Sequence, residues 1–167
     1  MQILYALGGV LALVAWVLDS RTRKIPNWLN FGGMLVMLLG KLLWGYQQQL
    51  ALFPLVLQIG GGFATPFFLL LPLFYMGGFG AGDVKLMMVL GIVLGSKLAF
   101  LHVLVTAVIG GIMAIGVFVQ AAGWQEVKTL IQNRGRGLRT HPKMKAAFPY
   151  SMAILMGYLI VLINFAK

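Results

Sequence analysis

Three acidic residues occur in this 167-residue chain, and two of them, Asp19 and Asp83, stand at the ends of apolar stretches suited to a membrane. A carboxylate in that setting is costly unless it is paired, solvated or used. Neither has a histidine near it in sequence and the chain contains no cysteine, so transition-metal ligation fits poorly and no metal is expected. Two carboxylates brought together suit aspartic acid-base chemistry, in which one activates a water and the other, protonated, polarises a peptide carbonyl. Bare negative charges about 3 to 5 Å apart repel, so such a pair holds one shared proton. The run Gly77-Gly78-Phe79-Gly80-Ala81-Gly82 before Asp83 is poor in side chains. It admits unusual dihedrals and the close approach of an extended substrate; equally, its glycines serve helix packing, as Gly60-Gly61-Gly62 and Gly110-Gly111 do.

These residues must be positioned by membrane-spanning helices. Hydrophobic residues make up 60% of the chain and charged ones 10%, with a mean hydropathy of +0.94, which excludes an ordinary soluble domain. The fold class expected is all-α, a polytopic membrane protein built as a bundle of about six transmembrane helices. The apolar segments run roughly over residues 3–18, 28–46, 50–76, 84–94, 98–122 and 147–165, against about 20 residues per span. The fourth, at about 11 residues, reaches only half-way across the hydrocarbon. It is expected to begin inside the glycine-rich stretch, with residues 76–83 enclosed by protein, because irregular backbone at membrane depth needs burial or a wet cavity. The longest polar stretch, residues 125–145, is too short for a core of its own, so residues 1–167 read as a single transmembrane domain. The first segment lacks a charged leader and a small-residue cleavage site and reads as a retained helix.

Of the thirteen basic residues, only Lys41, Lys97 and Lys167 fall near one side. Arg21, Arg23 and Lys24 follow the first segment, Lys85 follows the third, and Lys128, Arg134, Arg136, Arg139, Lys143 and Lys145 follow the fifth. The excess of positive charge on cytoplasmic loops places those three loops inside and both termini outside. Asp19 then follows the first crossing and Asp83 the third, so both carboxylates face the cytoplasm. The net charge of +10 sits where topology requires it and no folded basic module accompanies it. Anionic lipid headgroups are therefore the expected partner of that charge, and nucleic acid is not.

Gly80-Ala81-Gly82-Asp83-Val84-Lys85-Leu86 resembles the GxGD motif of the type IV prepilin peptidases, membrane aspartic proteases that mature pilin precursors. Asp19 followed by Ile25-Pro26-Asn27 resembles the family's other aspartate motif, and Phe148-Pro149-Tyr150-Ser151 at the last helix is similar as well. The resemblance spans nearly the whole chain, and its two aspartate motifs stand in the family's order. It implies that Asp19 and Asp83 are the catalytic pair, that Gly80 and Gly82 shape the loop presenting Asp83, and that Lys85, Pro26 and Asn27 support the site. It also implies a prepilin substrate, a hydrophobic helix with a short basic leader cut at their junction, in the prokaryotic inner membrane. Larger members carry paired CxxC motifs on an extra zinc-binding segment tied to N-methylation. A chain with no cysteine resembles instead the minimal, peptidase-only form of tight-adherence (Flp) pilus systems, so neither cofactor nor N-methyltransferase activity is expected. Archaeal preflagellin peptidases are similar in kind.

Other residues have plainer readings. His102 is expected to pack or hydrogen-bond near the outer face, His141 to be solvated, and Glu126 to pair with Lys128 or a loop arginine or to meet a substrate leader. Trp16, Trp28, Trp44 and Trp124 fall near segment ends, as interfacial anchors do. Pro54, Pro66 and Pro72 are expected to kink the third segment. Two intramembrane acids with Lys85 would also serve a proton- or cation-coupled transport component. Against that reading stand the lack of an inverted repeat and the position of both acids at one boundary rather than the midplane. A structural assembly protein would need neither aspartate.

Overall fold

The computed structural model describes residues 1–75, 79–122 and 150–165. Among them are five helices and no strand: α1 (Gln2–Thr22), α2 (Asn27–Gln47), α3 (Leu52–Tyr75), α4 (Ala81–Ala122) and α5 (Tyr150–Phe165). The first four contain stretches long and apolar enough to cross a membrane, and α5 is a shorter apolar helix. Large apolar side chains such as Val10, Val36, Phe53, Leu57, Phe68, Val108, Ile112 and Ile163 face outward, the surface a bilayer covers.

Helix α4 is two helices in one. Gly95 has φ 75 and ψ 169, a conformation open to glycine and strained for other residues. It separates an arm over residues 81–94 from one over residues 96–122. The second arm folds back along the first. Tyr150 stacks on Phe79, ring centroids 4.5 Å apart, and a Cβ on Gly110 would strike the same tyrosine ring. In a straight helix the positions flanked by that one side chain would be roughly 40 Å apart. The described residues therefore make six helical passages, with the break inside the interval that separates the fourth and fifth apolar segments.

The first arm is short, about 14 residues or roughly 21 Å, and it is the hub of the bundle. From Val84 to Gly95 nearly every residue is buried, the pattern of a helix surrounded by protein on all sides. On one side it joins Leu86, Met87 and Leu90 to Ala12, Ala15, Leu70, Ile154 and Tyr158. On the other it joins Val89, Ile92 and Val93 to Leu4, Met37, Leu55 and Ile59. Helix α3 packs with its backbone against this arm, since a Cβ on Gly62 would strike the Gly91 carbonyl oxygen and one on Gly91 the Gly62 carbonyl oxygen. Pro66 and Pro72 lie within a continuous α3.

Helix α2 runs parallel to the first arm. Asn30 Nδ2 donates to Gly82 O at 3.4 Å and Lys41 Nζ to Val93 O at 3.0 Å. Asn30 and Lys41 are spaced along α2 as Gly82 and Val93 are along α4, about three turns in each case. These two buried polar residues thus fix the register of the helix pair.

The glycine-rich stretch departs in part from expectation. The fourth passage does begin inside it, at Ala81; of the described residues Phe79 is buried and Gly82 and Asp83 are partly buried, but Gly80 and Ala81 are exposed, and burial is most complete in the arm that follows. The length of that arm explains the difference: burial on all sides lets it be short without irregular backbone at membrane depth. Residues 76–78, the basic stretch with Glu126 and His141, and Trp124 lie outside the described residues.

Candidate active site

Asp19 reaches the interior because of where it falls on α1. The buried residues of that helix, Leu4, Gly8, Ala12, Ala15 and Asp19, recur every three or four positions and form a single stripe. The small residues let neighbours close in, and Tyr158 occupies the space a Cβ on Gly8 would need. Asp19 ends the stripe just before α1 stops at Arg23, which is left-handed (φ 56) and donates its N–H to Asp19 O at 2.8 Å.

Asp83 sits in the first turn of α4, held by the backbone of its own motif. Gly80 O accepts the N–H groups of Asp83 and Val84 at 3.1 and 3.2 Å, which makes Gly80 the residue that caps the helix. The Asp83 carboxylate reaches back, its Oδ2 accepting the Gly80 N–H at 3.3 Å. That is the return half of a capping box, and it gives the spacing from Gly80 to Asp83 a physical origin. Both glycines stand close to a neighbouring side chain. A Cβ on Gly80 would lie 3.0 Å from Asp83 Oδ2, and one on Gly82 would lie 3.1 Å from Ile25 Cβ.

The turn between α1 and α2 completes this end of the bundle. Pro26 is extended (φ -69, ψ 144) at the entrance to α2, and the preceding Ile25 packs against Gly82. Asn27 Oδ1 accepts Lys85 Nζ at 3.0 Å, and the ammonium lies 5.6 Å from the centroid of the Phe31 ring. Lys85 is thereby tied to α2 through Asn27, which leaves its place beside the carboxylates to other groups. From α5, Ser151 Oγ donates to Asp19 Oδ2 at 2.7 Å, and both residues are buried. Tyr150 stacks on Phe79, ring centroids 4.5 Å apart. Ser151 bonds Asp19, and its neighbour Tyr150 stacks on Phe79 beside the turn that presents Asp83, so the two aspartates lie at the same end of the bundle.

All seven residues singled out in the sequence, Asp19, Pro26, Asn27, Gly80, Gly82, Asp83 and Lys85, therefore meet at one end of the bundle. Three more groups join them: Asn30, Tyr150 and Ser151. Asn30 stands out as a polar residue one turn beyond Asn27 on the buried stripe of α2, a signal present in the periodicity. Tyr150 and Ser151 belong to the fourth sequence motif, but nothing in their spacing links Ser151 to Asp19. His102 lies elsewhere, fully buried between α4 and α5 with Nε2 3.0 Å from Ile154 O, a packing role as expected. Among the described residues no group of three or more His, Cys, Asp or Glu gathers as a metal site.

Comparison with family models matches residues 6–115 to the type IV leader peptidase family. The match covers well over half of the chain, and the chain belongs to that family. It is a peptidase of the leader-peptidase kind and, with its apolar helices, an integral membrane protein. Both aspartates, the Ile25-Pro26-Asn27 turn and the Gly80 to Lys85 stretch fall inside the matched residues, and α5 falls outside them. Searches of curated proteins and of solved structures find no match.

Proposed function

We propose that this protein is an aspartic endopeptidase that removes the short basic leader from type IV prepilins of the Flp kind. The site faces the cytoplasm at the boundary of the prokaryotic inner membrane, and both termini lie outside. The observation that carries the reading is the meeting of Asp19 and Asp83 at one end of the bundle, each on a different helix and each held by a hydrogen bond to Oδ2. The distribution of lysine and arginine supports the orientation. The absence of cysteine from this chain supports cleavage without N-methylation here.

The dyad chemistry needs no other group. The ionised carboxylate takes a proton from water as the water oxygen bonds to the scissile carbonyl carbon. The protonated carboxyl gives its proton to the carbonyl oxygen, which leaves a neutral gem-diol. Return of the first proton to the peptide nitrogen breaks the C–N bond, and the second carboxylate recovers a proton from a diol hydroxyl. The products are a new carboxylic acid on the leader and a free amine on the pilin. An intact helix engages its carbonyls in backbone hydrogen bonds, so the scissile stretch must unwind before it reaches the pair. The exposed backbone at Gly80 and Ala81 offers room for an extended strand.

The test is mass spectrometry of a candidate prepilin co-expressed with wild type, Asp19→Asn and Asp83→Asn, all three confirmed in the membrane. Asparagine keeps size and hydrogen bonding and removes the carboxylate. Leader release by wild type alone supports the dyad, and normal cleavage by either variant rejects it. A preflagellin offered in parallel separates the archaeal-type substrate from the pilin.

A further inference from the structure

The two carboxylates are not equivalent. Asp19 is 9% exposed and its Oδ2 accepts a 2.7 Å bond from the hydroxyl of Ser151, which is itself 0% exposed. Asp83, itself partly buried, accepts a longer bond, 3.3 Å, from the backbone N–H of the exposed Gly80. A hydroxyl that donates to a carboxylate bonds its ionised form more strongly than its protonated form, because the ionised group only accepts hydrogen bonds.

We propose that Ser151 is a positioning residue that assigns the roles within the pair: its hydroxyl keeps Asp19 ionised as the base that activates water, and the shared proton resides on Asp83, which polarises the carbonyl. The assignment rests on the dyad reading above. In the cleavage step, Asp19 accepts the water proton and Asp83 delivers its own to the carbonyl oxygen. Asp19 then passes its proton to the departing nitrogen, and Asp83 is reprotonated by the diol. Ser151 keeps its proton throughout.

Burial of Asp19, and the helix N-terminus and Gly80 N–H at Asp83, act in the opposite sense, so the 2.7 Å bond from Ser151 is the feature on which the assignment rests. On α4, Asp83 is the partner itself, and Lys85 is held by Asn27 and Phe31. From α2, Asn30 bonds Gly82 O. On α5, Tyr150 stacks on Phe79. On α1 itself, Arg21 is exposed.

The experiment measures kcat and KM for a prepilin as a function of pH, with the full-length protein in vesicles. It compares wild type with Ser151→Ala, Ser151→Thr and Ser151→Cys, and includes Asp19→Asn and Asp83→Asn as controls. Loss of a hydrogen bond to a charged group is expected to lower kcat of Ser151→Ala by roughly tenfold to a hundredfold. Its acid limb is expected to move toward neutral pH by about one unit, with KM unchanged. Threonine restores both values, and cysteine, of similar volume and a poorer donor, falls between and supplies the measurement if the alanine variant does not accumulate. A defect of packing alone would leave the acid limb where it was. An unmoved acid limb in the alanine or cysteine variant overturns the assignment while inactive aspartate variants leave the peptidase standing. Normal cleavage by Asp19→Asn overturns both.

Discussion

Lys41 Nζ donates to the carbonyl oxygen of Val93 at the far end of the arm whose first turn carries Asp83. Gly95 ends that arm, so the Val93 carbonyl is one of the last four, which have no partner within their own helix. A buried cation at a helix C-terminus satisfies the carbonyl and the helix dipole together. Lys41→Met keeps the stem and removes the donor, leaving a buried acceptor unmet at a cost of about 1–3 kcal/mol. We expect a lower melting temperature in detergent and less cleavage at elevated temperature. Unchanged thermal stability would show that water or lipid replaces the ammonium.

The two motif glycines separate effects on chemistry from effects on assembly. The 3.0 Å approach of a Cβ at residue 80 to Asp83 Oδ2 means that Gly80→Ala pushes on the carboxylate itself. We expect kcat to fall about tenfold or more with little change in stability, since misplacement of a reacting group by about 1 Å has effects of that order or greater. Gly82→Val drives a branched side chain into Ile25 across the interface of two elements and is expected to lower both activity and melting temperature. Normal cleavage by a folded protein with bulky residues at both positions would remove the loop from the mechanism.

Much of this arrangement was legible in the sequence, and the reasons differ by residue. Apolar length yields the helical passages because a bilayer demands it, and the parity of crossings yields the common side of Asp19 and Asp83. The reversal near Gly95 shows in the dip between two apolar runs. Contacts made across the bundle do not show. Lys41 counts in a charge tally as a marker of the outer face, yet it is buried against a helix end that only the kink creates. Ser151 sits 132 residues from Asp19, and hydropathy carries no information about which helix faces which. Enclosure of the glycine-rich stretch holds at Phe79 and fails at Gly80 and Ala81, which are exposed, and the helix after it carries most of the burial.

Lys85 follows Asp83 by two residues and invites a role as counter-ion, but its ammonium bonds Asn27 Oδ1 in an exposed setting. Exposed polar contacts of this kind contribute little, at most about 1 kcal/mol. Lys85→Met is therefore expected to keep cleavage within about threefold of wild type and stability within about 0.5 kcal/mol. A hundredfold loss at saturating prepilin would place the ammonium in the chemistry instead.

The dyad also dictates the shape of the pH profile. With both carboxyls protonated no base remains to activate water, and with both ionised no acid remains to polarise the carbonyl, so kcat/KM must fall on either side of an optimum. The two limbs belong to the pair as a unit, with two apparent pKa values that cannot be handed one to each residue from the profile alone. Prepilin cleavage in vesicles across acidic to alkaline pH, with chemistry rate-limiting and the fold checked at each end, is expected to trace that bell. Asp19→Asn and Asp83→Asn abolish cleavage at every pH. A profile flat from mildly acid to neutral conditions, or a single limb, would show that one carboxylate acts without the other.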